Sequence, residues 1–186
     1  MPPKIKITRE DIINTAVEIV RKSSAEAINA RNIAAVLKCS TQPIFSNFKS
    51  MEELRLAVVE KADKICYEYI NREIENGKYP PYKASGMAYI HFASEEKDLF
   101  KLLYMRDRSK ENIPESNELG NQMNSVVYSN TGLKGDDAKL FHLEMWTYVH
   151  GIATMIATDF TNLDTELISR MLTDVYQGMR KQYGLE

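Results

Sequence analysis

Apolar residues recur at three- and four-residue steps along almost all of this 186-residue sequence, with caps and breakers between the repeats. This spacing places one apolar face on each of a series of helices. No segment has convincing strand alternation, and the sequence predicts an all-α fold of about nine helices. The predicted helices span about 8–22, 29–37, 40–48, 50–76, 82–94, 96–106, 115–130, 137–159 and 164–183.

Residues 39–48 read CSTQPIFSNF, which combines a proline with three large apolar residues in a short segment. Pro43 fits a helix only in its first turn, where no amide has an intrahelical partner. Ile44 and Phe48 are four residues apart and share one face, and Phe45 lies at the edge of that face. We therefore predict a very short helix that is held by its apolar side.

The preceding helix supplies the surface against which this short helix would pack. Its predicted inward residues are Ile33, Ala34, Val36 and Leu37. Two short helices joined by a turn, the second with an exposed polar face, are typical of a helix-turn-helix. The outward side chains, which suit phosphate oxygens and base edges, are those of Thr41, Gln42, Ser46 and Asn47. A tight helical corner without a binding role would show the same spacing.

Charge is unevenly distributed along the chain. The first 49 residues contain eight Lys or Arg and four acids, a net +4, although the whole chain carries −2. A basic end on an acidic body indicates a surface for a polyanion.

The start of the sequence is charged, and no apolar run approaches the ~20 residues of a membrane helix. We therefore expect a cytoplasmic protein with no membrane association, in which Cys39 and Cys66 are reduced packing residues.

The stretch INARNIAAVLKCSTQPIFSNFKSMEEL resembles the TetR family of bacterial transcriptional regulators, and the resemblance covers about residues 8–60. The family pattern is matched at Ile33-Ala34, at the turn Cys39-Ser40, at Ile44-Phe45, at Phe48 and at the helix cap in residues 50–54. The sequence departs from that pattern at Lys38 for Gly, Pro43 for Thr, Phe45 for Tyr and Met51 for Lys. These changes remove a phenol, a hydroxyl and a cation but leave the apolar frame intact.

A second resemblance lies late in the chain. Trp146, His150 and Gly151 match the W-x-x-x-H-G signature of one TetR C-terminal class. Trp146 and His150 are four residues apart and share a helix face. Gly151 allows close approach of another helix.

The resemblance implies a helix-turn-helix head at 1–53, with its motif at about 29–48, and a helical ligand-binding and dimerisation body at 54–186. It implies a ligand-responsive regulator, a repressor, that binds double-stranded DNA at a palindromic operator as a homodimer. The predicted DNA contacts are Arg31, Ser40, Thr41, Gln42, Phe45, Asn47 and Lys49. The predicted contacts to a small-molecule effector are His91, Tyr104, Met123, Tyr128, Trp146 and His150.

The homodimer is expected to form through about 137–159 and 164–183, which would pair with a second copy as a four-helix bundle. The apolar stripes assigned to this pairing are Leu140, Leu143, Trp146, Val149, Ala153 and Ile156 on one helix and Leu167, Leu172, Val175 and Met179 on the other.

Two other function classes remain open at this point. A helical small-molecule or protein-binding module with a vestigial head is the alternative interpretation. An enzyme is less favoured, because the sequence contains no HExxH, CxxC, P-loop or GxSxG motif. His142 and His150 are eight residues apart, about 80° around a helix, which suits a local metal pair poorly. We therefore expect no catalytic residue, no metal and no cofactor other than an effector.

Overall fold

A computed structural model of the chain describes residues 7–107 and 126–185. These residues form helices and connecting turns without a strand, which confirms the all-α prediction. No helix within the described ranges is both long enough and apolar enough to cross a membrane. The helices are α1 Arg9–Lys22, α2 Ala30–Val36, α3 Gln42–Asn47, α4 Met51–Asn76, α5 Pro81–Glu95, α6 Lys97–Tyr104, α7 Gly135–Ala157 and α8 Thr165–Gln182. A 3₁₀ turn spans Ala25–Ala27, and residues 126–131 are also helical.

Side-chain caps fix where the early helices begin. Thr8 forms a capping box with Asp11 at the start of α1. Asn29 and Ser50 each accept a hydrogen bond from the backbone N–H three residues further on, at 2.9 and 3.1 Å. Each cap gives a hydrogen-bond partner to a first-turn amide that has none within its helix. Thr41 is the N-cap of α3 but makes no capping bond, and most of the predicted helix at 115–130 lies outside the described residues.

The chain divides into two compact units. The first unit contains residues up to 65 together with 96–106, and the second contains 66–95 and the residues from 107 onward. The division falls within α4, which runs unbroken from Met51 to Asn76 and contributes to both units. The boundary expected at 53/54 lies in the first turn of this helix and stays a prediction.

The core of the first unit encloses the apolar side of α3. Ile44 and Phe48 are buried, as are Ile33 and Ala34 of α2, which confirms the predicted docking face. The prediction for Val36 is wrong, because its side chain is 59% exposed. It is the last residue of α2, and it lies on the opposite side of the helix from Ala34.

A bidentate ion pair joins the end of α1 to the start of α6 within the first unit. The guanidinium of Arg21 donates to both carboxylate oxygens of Glu96, at 2.8 and 2.6 Å, and to Glu18 at 2.7 Å. The hydrogen bonds to Glu96 raise the pKa of Arg21. Paired donors in this fork geometry are directional, and they fix α6 against α1.

The turn between α2 and α3 depends on a left-handed backbone at Lys38. Its φ is +51°, and the N–H of Cys39 reaches back to the carbonyl of Ala34 at 3.0 Å, which closes the end of α2. Glycine adopts this conformation at no steric cost, whereas a side chain is strained there. Lys38 therefore keeps the backbone of the turn that glycine favours, at some cost in stability.

We predict that Lys38→Gly raises the free energy of unfolding by up to about 1 kcal/mol, because relief of the steric strain exceeds the added backbone entropy. Lys38→Val should lower it by about 1–2 kcal/mol, since a β-branched side chain tolerates positive φ least. Urea unfolding of both variants checks this. Equal stability of the Gly and Val variants would contradict the assigned turn.

The core of the second unit is centred on α5, which is buried around most of its circumference. A Cβ added at Gly86 would lie 3.4 Å from side-chain atoms of both Val149 on α7 and Leu172 on α8. The absence of a side chain at this position lets both helices approach α5 closely.

This packing corrects part of the predicted dimer stripes. Val149, Ala153, Ile156 and Leu172 are buried within the chain itself, and Val175 and Met179 pack against its core, so a second copy cannot contact all of them. The reason is that α5 occupies the apolar side of α7 and α8. The large apolar side chains that stay exposed on these two helices are Leu140, Leu143, Trp146 and Leu167.

Candidate nucleic-acid interface and ligand-binding residues

Arg9 holds the C-terminal end of α3 in place. Its guanidinium carbon lies 4.0 Å from the centre of the buried Phe48 ring, and Nη1 donates to the backbone carbonyl of Asn47 at 2.8 Å. The same nitrogen donates to Glu53 at 2.9 Å. One side chain on α1 thus contacts the end of α3 and the first turn of α4, a connection that no local sequence pattern predicts.

Glu53, in the first turn of α4, also binds the segment between α3 and α4. Its carboxylate accepts the backbone N–H of Lys49 at 2.7 Å as well as the Arg9 guanidinium. These hydrogen bonds, first from Lys49 and then from Arg9, lower the pKa of the Glu53 carboxyl. The segment between α3 and α4 is therefore bound by an ionised carboxylate at the start of α4.

The outer face of α3 combines polar and apolar groups. Gln42 and Ser46 are exposed, Phe45 is 55% exposed, and Thr41 and Asn47 are half-buried. Ser46 donates to the carbonyl of Gln42 at 2.9 Å, and the Asn47 amide nitrogen donates to a backbone carbonyl within α3 at 2.8 Å. The four positions expected to face outward, 41, 42, 46 and 47, retain exposed surface, but Ser46 and Asn47 use donors within the helix.

The remaining DNA-contact candidates flank α3 at exposed positions. Arg31 lies in the first turn of α2, Ser40 lies in the turn before α3, and Lys49 lies two residues beyond the end of α3. Two cations and a hydroxyl around a short exposed helix are suited to phosphate contacts that would fix its register on a duplex.

Two of the effector candidates are in direct contact on α7. The rings of Trp146 and His150 stack with centroids 4.7 Å apart and planes at 16°. Nδ1 of His150 is hydrogen-bonded to the hydroxyl of Tyr89 on α5 at 2.9 Å. His91, also on α5, is half-buried. His150 is thus a half-buried side chain anchored to its neighbour helix, with an aromatic ring on one face.

A second Tyr–His pair lies further along the same two helices. The hydroxyl of Tyr82 and Nδ1 of His142 are hydrogen-bonded at 3.2 Å. Burial lowers the pKa of His142 and of His150 and raises the pKa of Tyr82. The tyrosines are seven residues apart and nearly share a helix face, whereas the histidines are eight apart, about 80° around their helix. The similar spacing is a sequence signal for these pairs only once α5 and α7 are known to be in contact.

The other effector candidates lie elsewhere. Tyr128 is exposed and lines an open cleft of about 280 Å³ at the start of α7, whose other lining residues are Leu133, Lys134, Gly135, Ala138 and Lys139. Tyr104 belongs to the first unit, where it packs against Phe100 with ring centroids 5.0 Å apart. Met123 lies outside the described residues.

Comparison with known proteins identifies the second unit. A family model described as "Tetracyclin repressor-like, C-terminal domain" matches residues 82–175, half of the chain. The chain belongs to the TetR family. The match extends from α5 into α8 and includes both Tyr–His pairs. It confirms the family resemblance found in the sequence.

Solved structures share the fold of this TetR-family protein. A TetR-like transcriptional regulator from Rhodococcus sp. RHA1 is 14% identical, with a TM-score of 0.68 and coverage of 99% of both chains. A protein of unknown function from the same organism is 18% identical, with a TM-score of 0.73 and coverage of 95% of this chain and 97% of its own. A TetR family member from Streptomyces coelicolor A3 is 14% identical, with a TM-score of 0.64 and coverage of 89% and 96%. No protein of curated function matches the chain.

We predict that the half-buried histidines His142 and His150 make the stability of this TetR-family protein depend on pH. An unfolded histidine has a pKa of about 6.5, and burial lowers the folded pKa of His142 and His150. The unfolded state therefore binds more protons as the pH falls below about 6.5, and stability is lost in that range. Urea unfolding at pH 7.5 and 5.5 measures the loss.

The double variant His142→Gln, His150→Gln supplies the control for this prediction. Glutamine keeps a hydrogen-bonding group for each tyrosine but has no proton to gain between these two pH values. The double variant should lose less stability than the wild type between pH 7.5 and 5.5. An equal loss in the two proteins would show that other groups determine the pH dependence.

Proposed function

We propose that this TetR-family protein is a ligand-responsive transcriptional repressor that binds a palindromic operator as a homodimer. The observation that carries the proposal is the way α3 is held. Its apolar side is buried through Ile44 and Phe48, its end is bound by Arg9, and Gln42 and Phe45 face outward. A short helix fixed on one side and exposed on the other suits insertion into a major groove.

Exposed cations around α3 support the binding of a polyanion. Arg31, Lys38 and Lys49 are exposed on the segments before and after the helix. Contacts from such side chains to phosphates supply affinity that is independent of base sequence and falls as salt rises. The groups on α3 itself would then supply the sequence preference.

The exposed face of α7 and α8 supports self-association. Leu140 and Leu167 are each followed, eleven residues later, by an exposed glycine, Gly151 and Gly178. Eleven residues return to nearly the same helix face. A Cβ added at either glycine would meet no atom of a neighbouring element within 4 Å, so no other part of the described chain packs against these two positions. A second copy could approach closely there.

A dimer would also compensate for the small size of α3. One six-residue helix contacts too few base pairs to define an operator. Two copies with their recognition helices roughly 34–36 Å apart would read two half-sites on one side of the duplex. The two-fold symmetry of the dimer would then require a palindromic site.

An effector in the second unit would act on operator affinity through α4, which contributes to both units. The residues proposed to sense it are Tyr128 at the cleft before α7 and the stacked pair Trp146 and His150. A coupling of ~1–3 kcal/mol between the two sites would change DNA affinity ~5–150-fold.

We predict salt-dependent binding of the full chain to duplex DNA from its own upstream region. Gel shifts or fluorescence anisotropy across a salt series should show log K falling linearly with log salt. Arg31→Ala combined with Lys49→Ala should weaken binding and reduce that slope by about one for each phosphate that the variant no longer neutralises. Lys181→Ala, at an exposed position on α8, is the control and should leave the slope unchanged. Binding that is absent or insensitive to salt would contradict the proposal.

We predict a dimer that depends on Leu143. This side chain is 54% exposed on α7, so Leu143→Glu should leave the folded chain intact but place a charge within the proposed interface. Sedimentation velocity at micromolar concentration should show a dimer for the wild type and a monomer for the variant. Leu56→Glu, at an exposed leucine on α4, should remain dimeric. A wild-type monomer, or a Leu143→Glu dimer of unchanged stability, would contradict this interface.

A further inference from the structure

We infer that α3 reads A·T base pairs, with the Phe45 ring against the 5-methyl group of a thymine and the Gln42 amide against the edge of an adenine. This inference rests on the proposed DNA-binding function and adds the base preference of the recognition helix. It follows from which groups on α3 are available to a ligand.

The composition of α3 excludes most kinds of base contact. The helix reads QPIFSN and has no charged side chain. Arginine or lysine is the usual reader of guanine, and glutamate or aspartate is the usual acceptor from cytosine. Neither kind of residue is present on this helix. The nearby cations Arg31, Lys38 and Lys49 all lie outside it.

The hydrogen bonds within α3 further reduce the number of its side chains that are available to contact a base. The Ser46 hydroxyl donates to the carbonyl of Gln42, and the Asn47 amide nitrogen donates to the carbonyl of Pro43. Thr41 and Asn47 are half-buried. Gln42 and Phe45 are therefore the two exposed side chains of α3 whose end groups are not engaged by these bonds.

Gln42 and Phe45 are three residues apart, so they lie side by side on the helix surface. A glutamine amide offers one acceptor and two donors, and this arrangement matches N6 and N7 of adenine. A phenyl ring has no hydrogen-bonding group. The apolar group that the major groove presents to it is the thymine methyl. Both side chains thus select the same class of base pair.

The exposure of Phe45 gives this contact a driving force. The ring is 55% exposed in the chain, and a groove contact would remove apolar surface of both the ring and the methyl group from water. Phe45 cannot donate to a phosphate, in contrast to the tyrosine of the family pattern. The contact to DNA that remains for a phenyl ring is an apolar contact to a base.

The first test is selection of bound sequences from a pool of random 30-base-pair duplexes with the full chain. Enriched sequences should contain two half-sites with A·T pairs at the positions that α3 contacts. The best duplex is then made again with deoxyuridine in place of single thymines, which removes only the 5-methyl group. At the contacted thymine this should weaken wild-type binding about fourfold per half-site, the equivalent of burying one methyl.

Variants of the protein separate the two contacts. Phe45→Ala should bind the thymine and deoxyuridine duplexes equally, whereas Ser46→Ala, which removes a hydroxyl already bonded within the helix, should keep the wild-type difference. Replacing the contacted adenine by 7-deazaadenine should weaken wild-type binding and leave Gln42→Ala unaffected. All three replaced side chains are exposed, so circular dichroism should show unchanged folding.

The outcomes distinguish this inference from the proposed function. Enrichment of A·T half-sites with a thymine–deoxyuridine difference that Phe45→Ala abolishes would support both. Enrichment of a G·C half-site, or equal binding of the thymine and deoxyuridine duplexes by the wild type, would overturn the base preference while DNA binding stands. Absence of any enriched sequence, together with absence of salt-dependent binding, would overturn both.

Discussion

The contacts of Arg9 are the constraint on which the candidate DNA-binding surface depends. Its guanidinium lies over the buried Phe48 ring and donates both to the last carbonyl of α3, at Asn47, and to Glu53 of α4. Helices of six residues are not stable alone, and their geometry comes from the elements around them. α3 therefore presents Gln42 and Phe45 to solvent only because α1 and α4 hold it from behind.

Much of the first unit could be predicted from local sequence. The caps at Thr8, Asn29 and Ser50 act within three residues, and the pairing of Ile44 with Phe48 follows from helical spacing alone. The contacts of Arg9 span 38 and 44 residues, and no periodicity encodes them. Such pairings depend on where the chain returns in space.

In the second unit, too, sequence spacing does not identify which residues are in contact. Helical spacing predicts the apolar stripes on the last two helices, but it cannot say which partner covers each residue. Val149 packs toward Gly86 of α5 within the chain, whereas Leu143 stays exposed. The two Tyr–His hydrogen bonds have matched spacings in sequence, but the contact between α5 and α7 had to be known before the pairs could be recognised. The effector candidates on this unit remain predictions.

The outer face of α3 is proposed as the surface that meets DNA, and the rest of the functional proposal depends on it. Two-dimensional NMR of the labelled full chain, titrated with a random-sequence duplex at low salt, tests this residue by residue. We predict that shift changes concentrate at Arg31 and in residues 40–49, and that added salt reverses them. Shift changes concentrated on α7 and α8 instead, or none at any duplex concentration, would contradict it.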